Sequence, residues 1–332
     1  MQMSARLRFW LRRGWQSLVT VLLVAVMNFC LLNAAPGDLA DVLAGESGAA
    51  TPEYMASLRE SYGLNQPFAE QLVRYVGHLA RLDLGYSFRQ NAPVLDVILS
   101  RLPATLLLML VSLALALLAG VVLGALAARR PHSLFDTCIS TLALLAYATP
   151  LFWLGLMLIV LFSVKLDVLP SSGLTEIGVV HESVAAWLLD VGRHLLLPAA
   201  TLALFYMAVF TRMTRAAMIE VYGLDFVRTA RAKGISEARL VIRHVLRNAI
   251  LPVVTSVGMQ VGAVLGGSVV IETVFGWPGL GRLSFEAIMQ RDTNLLLGVL
   301  FISSLLVIVV NLAVDLLYTK LDPRIRVQAR AA

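Results

Sequence analysis

The residues best suited to chemistry lie in one interval, Asp225–Pro252, DFVRTARAKGISEARLVIRHVLRNAILP. Six of them are basic: Arg228, Arg231, Lys233, Arg239, Arg243 and Arg247, with Arg212 and Arg215 just upstream. Such a cluster docks onto a partner or onto anionic headgroups; it does not make or break bonds. No GxxxxGK[ST] phosphate loop occurs. The chain has only three lysines, Lys165, Lys233 and Lys320, and Lys233 is followed by Gly234 and Ile235. The chain is therefore not expected to hydrolyse ATP. No catalytic triad or HExxH is visible, so the catalytic set is empty and the chain is not expected to be an enzyme.

The local pattern predicts how these residues are held. Asp225 is placed to cap a helix over Phe226–Lys233, about 12 Å long at 1.5 Å per residue. Gly234 can end it with a positive φ. Ser236 can cap the next helix, with Glu237 in a first turn that suits the dipole. Arg239, Arg243 and Arg247 recur every four residues as one stripe. The product is a short helix bearing Asp225, Phe226, Arg228, Thr229, Ala230, Arg231 and Lys233, held between turns marked by Gly223 and Gly234. A socket on another protein and a layer of lipid headgroups both fit that shape.

The flanking sequence sets the class. Of 332 residues, 58% are hydrophobic and 14% charged, against about a quarter charged in soluble domains. Six apolar runs, 14–37, 102–128, 137–164, 194–211, 248–271 and 293–314, are each long enough to cross a core that takes roughly 20 helical residues. The first run exceeds the ~7–15 residues of a signal-peptide core and reads as an anchor. The segments between the runs alternate in charge. One set (1–13, the Arg129–Arg130 loop, 212–247 and 315–332) carries 18 basic and six acidic residues; the other carries nine and 15. The positive-inside rule places both termini in the cytoplasm, which fits six spans. The basic excess then faces the inner membrane surface and not nucleic acid.

Between the spans, Asp38–Arg101 reads as a helical insertion. Thr51 and Pro52 can open one helix and Gly63 end it. A second starts near Pro67 with Phe68, Leu72, Tyr75, Val76 and Leu79 on one face. Pro150 predicts a kink in the third span. Gly258, Gly262 and Gly266 form small-xxx-small pairs that favour close helix packing in the fifth. In the loop 165–193, His181 reads as a solvated histidine. The hairpin 272–292 contains ETVFGWPGLG, whose Phe275, Trp277, Pro278 and Gly279 read either as an interfacial aromatic turn or as a lid over a path. Cys30 and Cys138 sit inside apolar runs, and no His/Cys/carboxylate cluster has metal-ligand spacing. The spans are nearly free of charge, with Glu272 and Asp315 at span ends. Ion-coupled transporters usually carry ionisable groups at mid-membrane depth, so transport through this chain must draw its energy elsewhere.

TARAKG (229–234) followed by RHVLRNAILP (243–252) resembles the cytoplasmic EAA loop of permease subunits of ABC importers, in the form found in the dipeptide, oligopeptide and nickel group. The resemblance runs along nearly the whole chain: APGD (35–38), YGLNQP (62–67), DLGYS (83–87), RLPATL (101–106), FWLG (152–155), LLPAATLAL (196–204), FGWPGLG (275–281) and LDPRIR (321–326). Arg228, Thr229 and Ala230 stand where the general motif has Glu-Ala-Ala. The resemblance implies an all-α integral membrane protein with the type I importer permease fold, six spans, and a helical extracytoplasmic insertion after the first. It implies a multi-pass protein of the bacterial inner membrane. It implies a complex with a second homologous permease, two ATPase subunits that bind ATP and Mg, and an extracytoplasmic substrate-binding protein. No cofactor or metal is implied on this chain. The EAA helix would seat in an ATPase groove. The substrate would be a dipeptide or oligopeptide, with nickel or another small solute as the alternative and an ion-coupled secondary transporter as the reading from another class.

Overall fold

The structure, a computed structural model, describes residues 5–34, 51–61 and 65–321. APGD, Gly63, part of YGLNQP and most of LDPRIR lie outside the described residues. Among the described residues the fold is all-α apart from one two-stranded hairpin. The elements are α1 (Ala5–Ala34), α2 (Pro52–Ser61), α3 (Phe68–Ala80), β1 (Tyr86–Ser87), β2 (Ala92–Pro93), α4 (Val94–Ala128), α5 (Leu134–Ala148), α6 (Leu151–Leu158), α7 (Val184–Tyr222), α8 (Asp225–Ala232), α9 (Glu237–Leu240), α10 (Arg247–Val274), α11 (Leu280–Met289) and α12 (Thr293–Leu321). Helices α1, α4, α7, α10 and α12 are long and apolar enough to cross a membrane; the pair α5 and α6 makes a sixth if its two arms count as one span.

The third apolar run is not one kinked helix. Helix α5 stops at Ala148, Thr149 and Pro150 are extended (ψ 131° and 132°), and α6 leaves at 105° to α5. Proline excludes the preceding residue from helical ψ, so two consecutive residues leave the helix and the bend becomes a corner. A π-helical turn, Ile159–Lys165, follows α6.

Helix α7 is longer than the apolar run inside it. Its 39 residues reach about 58 Å at 1.5 Å per residue. Ser183 caps it, accepting the Ala186 N–H at 3.2 Å, and the helix continues through the internal Pro198 to Tyr222.

The chain forms two compact units, 1–100 with 286–308, and 101–285 with 309–332. In the first, α3 packs on α1 through Phe29, whose ring lies 5.0 Å from Phe68 and 5.5 Å from Tyr75; Leu79 is buried on the same face. Thr51 and Pro52 open α2, with the Tyr54 N–H on Thr51 Oγ1 at 3.3 Å. The strands pair antiparallel, Tyr86 opposite Pro93. Ser87 donates to Asp292, and Asn294 donates to the Tyr86 carbonyl at 3.2 Å, tying the hairpin to the start of α12. Outside the spans, the nearby His78 ring holds the Asp83 carboxyl below the usual carboxylate range through a hydrogen bond.

In the second unit, α4 and α7 cross at two glycines. A Cβ on Gly120 would lie 2.5 Å from Phe210 Cβ, and one on Gly124 2.6 Å from the Thr211 carbonyl oxygen. The two glycines stand as a GxxxG pair in the sequence, in GVVLG. In the small-xxx-small pattern of the fifth run, a Cβ on Gly258 would lie 2.7 Å from Val314 Cγ1, as close packing requires, while one on Gly266 would meet nothing within 4 Å; outside that pattern, a Cβ on Gly267 would lie 3.1 Å from Tyr206 Oη. The main core gathers Leu108, Leu202, Phe210, Ile271, Phe275 and Trp277. Overpacking costs about 1–3 kcal/mol, so Gly124→Leu should lower the thermal midpoint of the detergent-solubilised protein, while Gly14→Leu, with nothing within 4 Å, leaves it unchanged. Equal midpoints would contradict the crossing.

Candidate functional site

The basic interval forms the helix that its pattern predicted, with different caps. Leu224, extended at ψ 146°, occupies the cap position without a side-chain bond, and Asp225 is the first helical residue. The Asp225 side chain is 97% exposed and lies 3.6 Å from Arg228. Gly223 keeps a right-handed conformation (φ −74°), so only Gly234 (φ +77°) is left-handed. Gly234 donates to the Arg231 carbonyl and Ile235 to that of Ala230. Ser236 sits at the next cap without a side-chain bond. Glu237 turns instead to Arg231, with Nε on Oε1 at 2.8 Å and Nη2 on Oε2 at 3.4 Å. The guanidinium holds the Glu237 carboxyl below its usual range, and the carboxylate raises Arg231.

This fork brackets the Gly234 turn and fixes α8 against α9. Val227 and Ala230 are buried with Met218, Leu240 and Val245. The other side of α8 presents Phe226, 42% exposed, with Arg228, Thr229, Arg231 and Lys233 exposed beside it. An exposed apolar ring thus stands among cations on a rigid base. Arg239, Arg243 and Arg247 are all exposed, but Val241–Leu246 is π-helical, so the wider turn breaks the regular stripe.

Upstream, α7 is braced to α5. Arg215 grips the buried Asp136 carboxylate with two bonds of 2.6 and 2.7 Å, and Arg212 lies over the Tyr147 ring at 5.2 Å. Neither contact was legible as a pair, being 79 residues apart in the first case.

The second candidate is the loop after α10. Phe275 and Trp277 are buried, Trp277 completely, so the aromatic residues do not act as an interfacial turn. The Trp277 indole N–H donates to the Ala104 carbonyl at 2.9 Å, and its backbone N–H to the Glu272 carbonyl at 2.8 Å. Glu272, fully buried, accepts from Thr105 Oγ1 at 2.9 Å and from the Arg282 N–H at 3.0 Å. Thr105 also accepts from the Leu280 N–H at 2.7 Å. Thus RLPATL and ETVFGWPGLG are one structure. A Cβ at Gly279 would lie 2.4 Å from the Glu272 carboxyl, and one at Gly281 2.5 Å from Val269 Cα. Both glycines are needed for close approach; neither has a positive φ. Pro278 sits in the turn between them and Trp277.

His181, read as solvated, is partly buried and bonded. Its Nε2 lies 2.9 Å from Asp190 Oδ2, whose other oxygen is 3.0 Å from His194 Nδ1. The Glu176 N–H also reaches Asp190, at 2.8 Å. These bonds pin the 165–193 loop to α7. The histidine–aspartate spacing was available in sequence, but a loop gives no period from which to infer the pairing. Among the described residues no group is arranged to hold a metal ion.

Residues 120–327 match the family model of the binding-protein-dependent transport system inner membrane component, and residues 6–109 match the model of the N-terminal part of such membrane components. The chain belongs to this family of transport permeases. A putative peptide transport system permease protein of Brucella abortus is 41% identical over 95% of this chain and 98% of its own. The dipeptide transport system permease protein DppB of Escherichia coli is 39% identical over 96% of this chain and 99% of its own. An inward-facing structure of the MetNI methionine ABC transporter shares the fold, with a TM-score of 0.56 and 18% identity over 69% of this chain and 98% of that one. The permease is thus an integral membrane protein with an ABC importer fold.

Proposed function

We propose that this permease carries dipeptides or oligopeptides across the bacterial inner membrane as one half of an ATP-driven importer. The reading rests on one observation: nearly full-length similarity to permeases named for peptide transport. A second homologous permease forms the other half, an extracytoplasmic binding protein delivers substrate, and two ATPase subunits bind ATP and Mg. The charge asymmetry supports cytoplasmic termini. On that sidedness α8 faces the ATPases, and the loop 272–281 faces outward.

In this reading α8 is the coupling helix. Phe226 enters a groove of the ATPase, and Arg228, Thr229, Arg231 and Lys233 ring it. Asp225 favours the helix dipole from the first turn. Ala230 and Val227 seat the helix on the permease, and the Gly234 turn with the Arg231–Glu237 fork transmits its movement. Phe275, Trp277, Pro278 and Gly279 form part of the outer closure. The chain itself supplies no hydrolytic step.

The direct test is uptake into vesicles holding the permease pair, its ATPases and its binding protein. Labelled dipeptide should accumulate and nickel should not; nickel accumulation without peptide uptake would contradict the substrate assignment. Gly234 tests the lever. A left-handed non-glycine residue costs about 1–2 kcal/mol, and nothing lies within 4 Å of its Cβ position. Gly234→Leu should therefore assemble yet transport several-fold less per ATP hydrolysed, and Gly234→Asn, which tolerates left-handed φ, should lose less. Equal coupling in all three would remove the lever role.

A further inference from the structure

Several bonds converge on the loop 275–281. Glu272 joins α10 to Thr105 on α4 and to the Arg282 N–H at the start of α11. Thr105 passes the link to the Leu280 N–H, and Trp277 reaches back to Ala104. The loop is also joined to the 165–193 loop, since the Gly173 N–H donates to the Phe275 carbonyl at 2.9 Å. Arg282 Nη1 closes the turn on the Gly276 carbonyl at 2.7 Å. Asp190, with His181 and His194, ties that second loop to α7. Every one of these bonds lies within the second compact unit. A flap would need bonds that water can replace, yet Glu272, Thr105, Phe275 and Trp277 are all buried. Opening the loop would strand a carboxylate, a hydroxyl and several N–H groups in an apolar interior, a cost paid for each group left unmade.

We propose that Glu272 is a positioning residue for transport: its carboxylate keys the 275–281 loop to α4, α10 and α11, so that the outer closure of this chain moves as one rigid collar. The two loops then do not part from one another during transport. The proposal rests on the sidedness and transport role given above. It replaces a lid that swings with a body that shifts, and it explains why Gly279 and Gly281 must lack side chains: their space is occupied by the Glu272 carboxyl and the α10 backbone.

A disulfide between the loops distinguishes a collar from a lid. A Cβ at Gly276 would lie 3.6 Å from Ser172 Cβ, within the roughly 3.5–4.5 Å that a disulfide spans. Gly276 is left-handed (φ +58°) and the same Cβ would lie 3.3 Å from Arg282 Nη1, so the reduced double-cysteine permease is the reference for the oxidised one. In a background with Cys30 and Cys138 replaced by serine, the Ser172→Cys/Gly276→Cys permease is assembled with its ATPases and binding protein. Dipeptide uptake is then compared before and after oxidation of the same preparation. The collar predicts that the bridge forms and that oxidised and reduced rates agree within about twofold. A tenfold or greater loss on oxidation, restored by reductant, would overturn it. The Glu272 assignment is read separately. Glu272→Gln turns one acceptor into a donor, and uptake per ATP hydrolysed should fall at least fivefold; an unchanged ratio overturns the assignment. Where that variant does not assemble, Thr105→Val gives the same reading, with Thr105→Ser as the rescue. ATP-dependent dipeptide uptake by the unmodified complex is the control, and its absence would refute the transport reading and leave the collar unaffected.

Discussion

Phe226→Asp should leave the permease folded and remove ATP-driven uptake almost entirely. Phe226 is 42% exposed, while its neighbours Val227 and Ala230 carry the contacts that hold α8 to the permease. The substitution therefore removes little internal packing. What it removes is the only aromatic ring on α8, set among exposed cations. Aromatic anchors of interfaces commonly contribute about 2–4 kcal/mol, and each 1.4 kcal/mol is about tenfold in affinity. A carboxylate at the same spot must also be desolvated. Co-purification of the ATPases should fall by roughly 100-fold or more on that scale. Val227→Asp makes the contrast: it buries a charge inside the permease, so the loss should appear as missing folded protein. Normal co-purification of the ATPases with Phe226→Asp would remove α8 as the docking helix.

Gly279→Ala should strongly destabilise the 275–281 loop. The added Cβ would sit 2.4 Å from the Glu272 carboxyl, so either the loop or the carboxylate must move. If the carboxylate moves, it loses Thr105 Oγ1 and the Arg282 N–H, and breaking a buried charged group away from its partners costs about 3–5 kcal/mol. Loss on this scale would leave little folded protein in the membrane. The cause can be isolated with a double-mutant cycle. Glu272→Ala vacates the space that the alanine needs, so Gly279→Ala should cost less in that background, by roughly 0.5–3 kcal/mol. Strict additivity in the thermal midpoints would show that the glycine is required for some other reason.

What the sequence made legible was local. A left-handed Gly234 follows from a helix pattern that stops at a glycine. The membrane-length runs needed only composition. The caps were less legible: Asp225 and Ser236 have the right chemistry for cap positions, but Leu224 takes the first without a side-chain bond and Glu237 answers Arg231 instead. Pro150 marked a bend, but the 105° corner depends on Thr149 leaving the helix as well.

The loop site was illegible for a different reason. Trp277 reads as an interfacial ring until its partner is known, and that partner, Ala104, lies 173 residues away. Glu272 reads as a charge at a span end because Thr105 is 167 residues distant. His181 reads as solvated although Asp190 is only nine residues away, because the loop before α7 has no period from which to infer the pairing. Tertiary pairs of this kind leave no period in a single sequence. The Gly120–Gly124 crossing did leave one, in GVVLG, and it was there to be read.

The central claim is that this permease has no engine of its own and is worked through α8 by ATP hydrolysed elsewhere. The most direct measurement is dipeptide accumulation in sealed vesicles, made once with the full complex and once with this permease alone, each with and without ATP and each with an imposed proton gradient. Accumulation is predicted only for the full complex with ATP. Sustained accumulation by the permease alone, driven by the gradient and without nucleotide, would contradict the account.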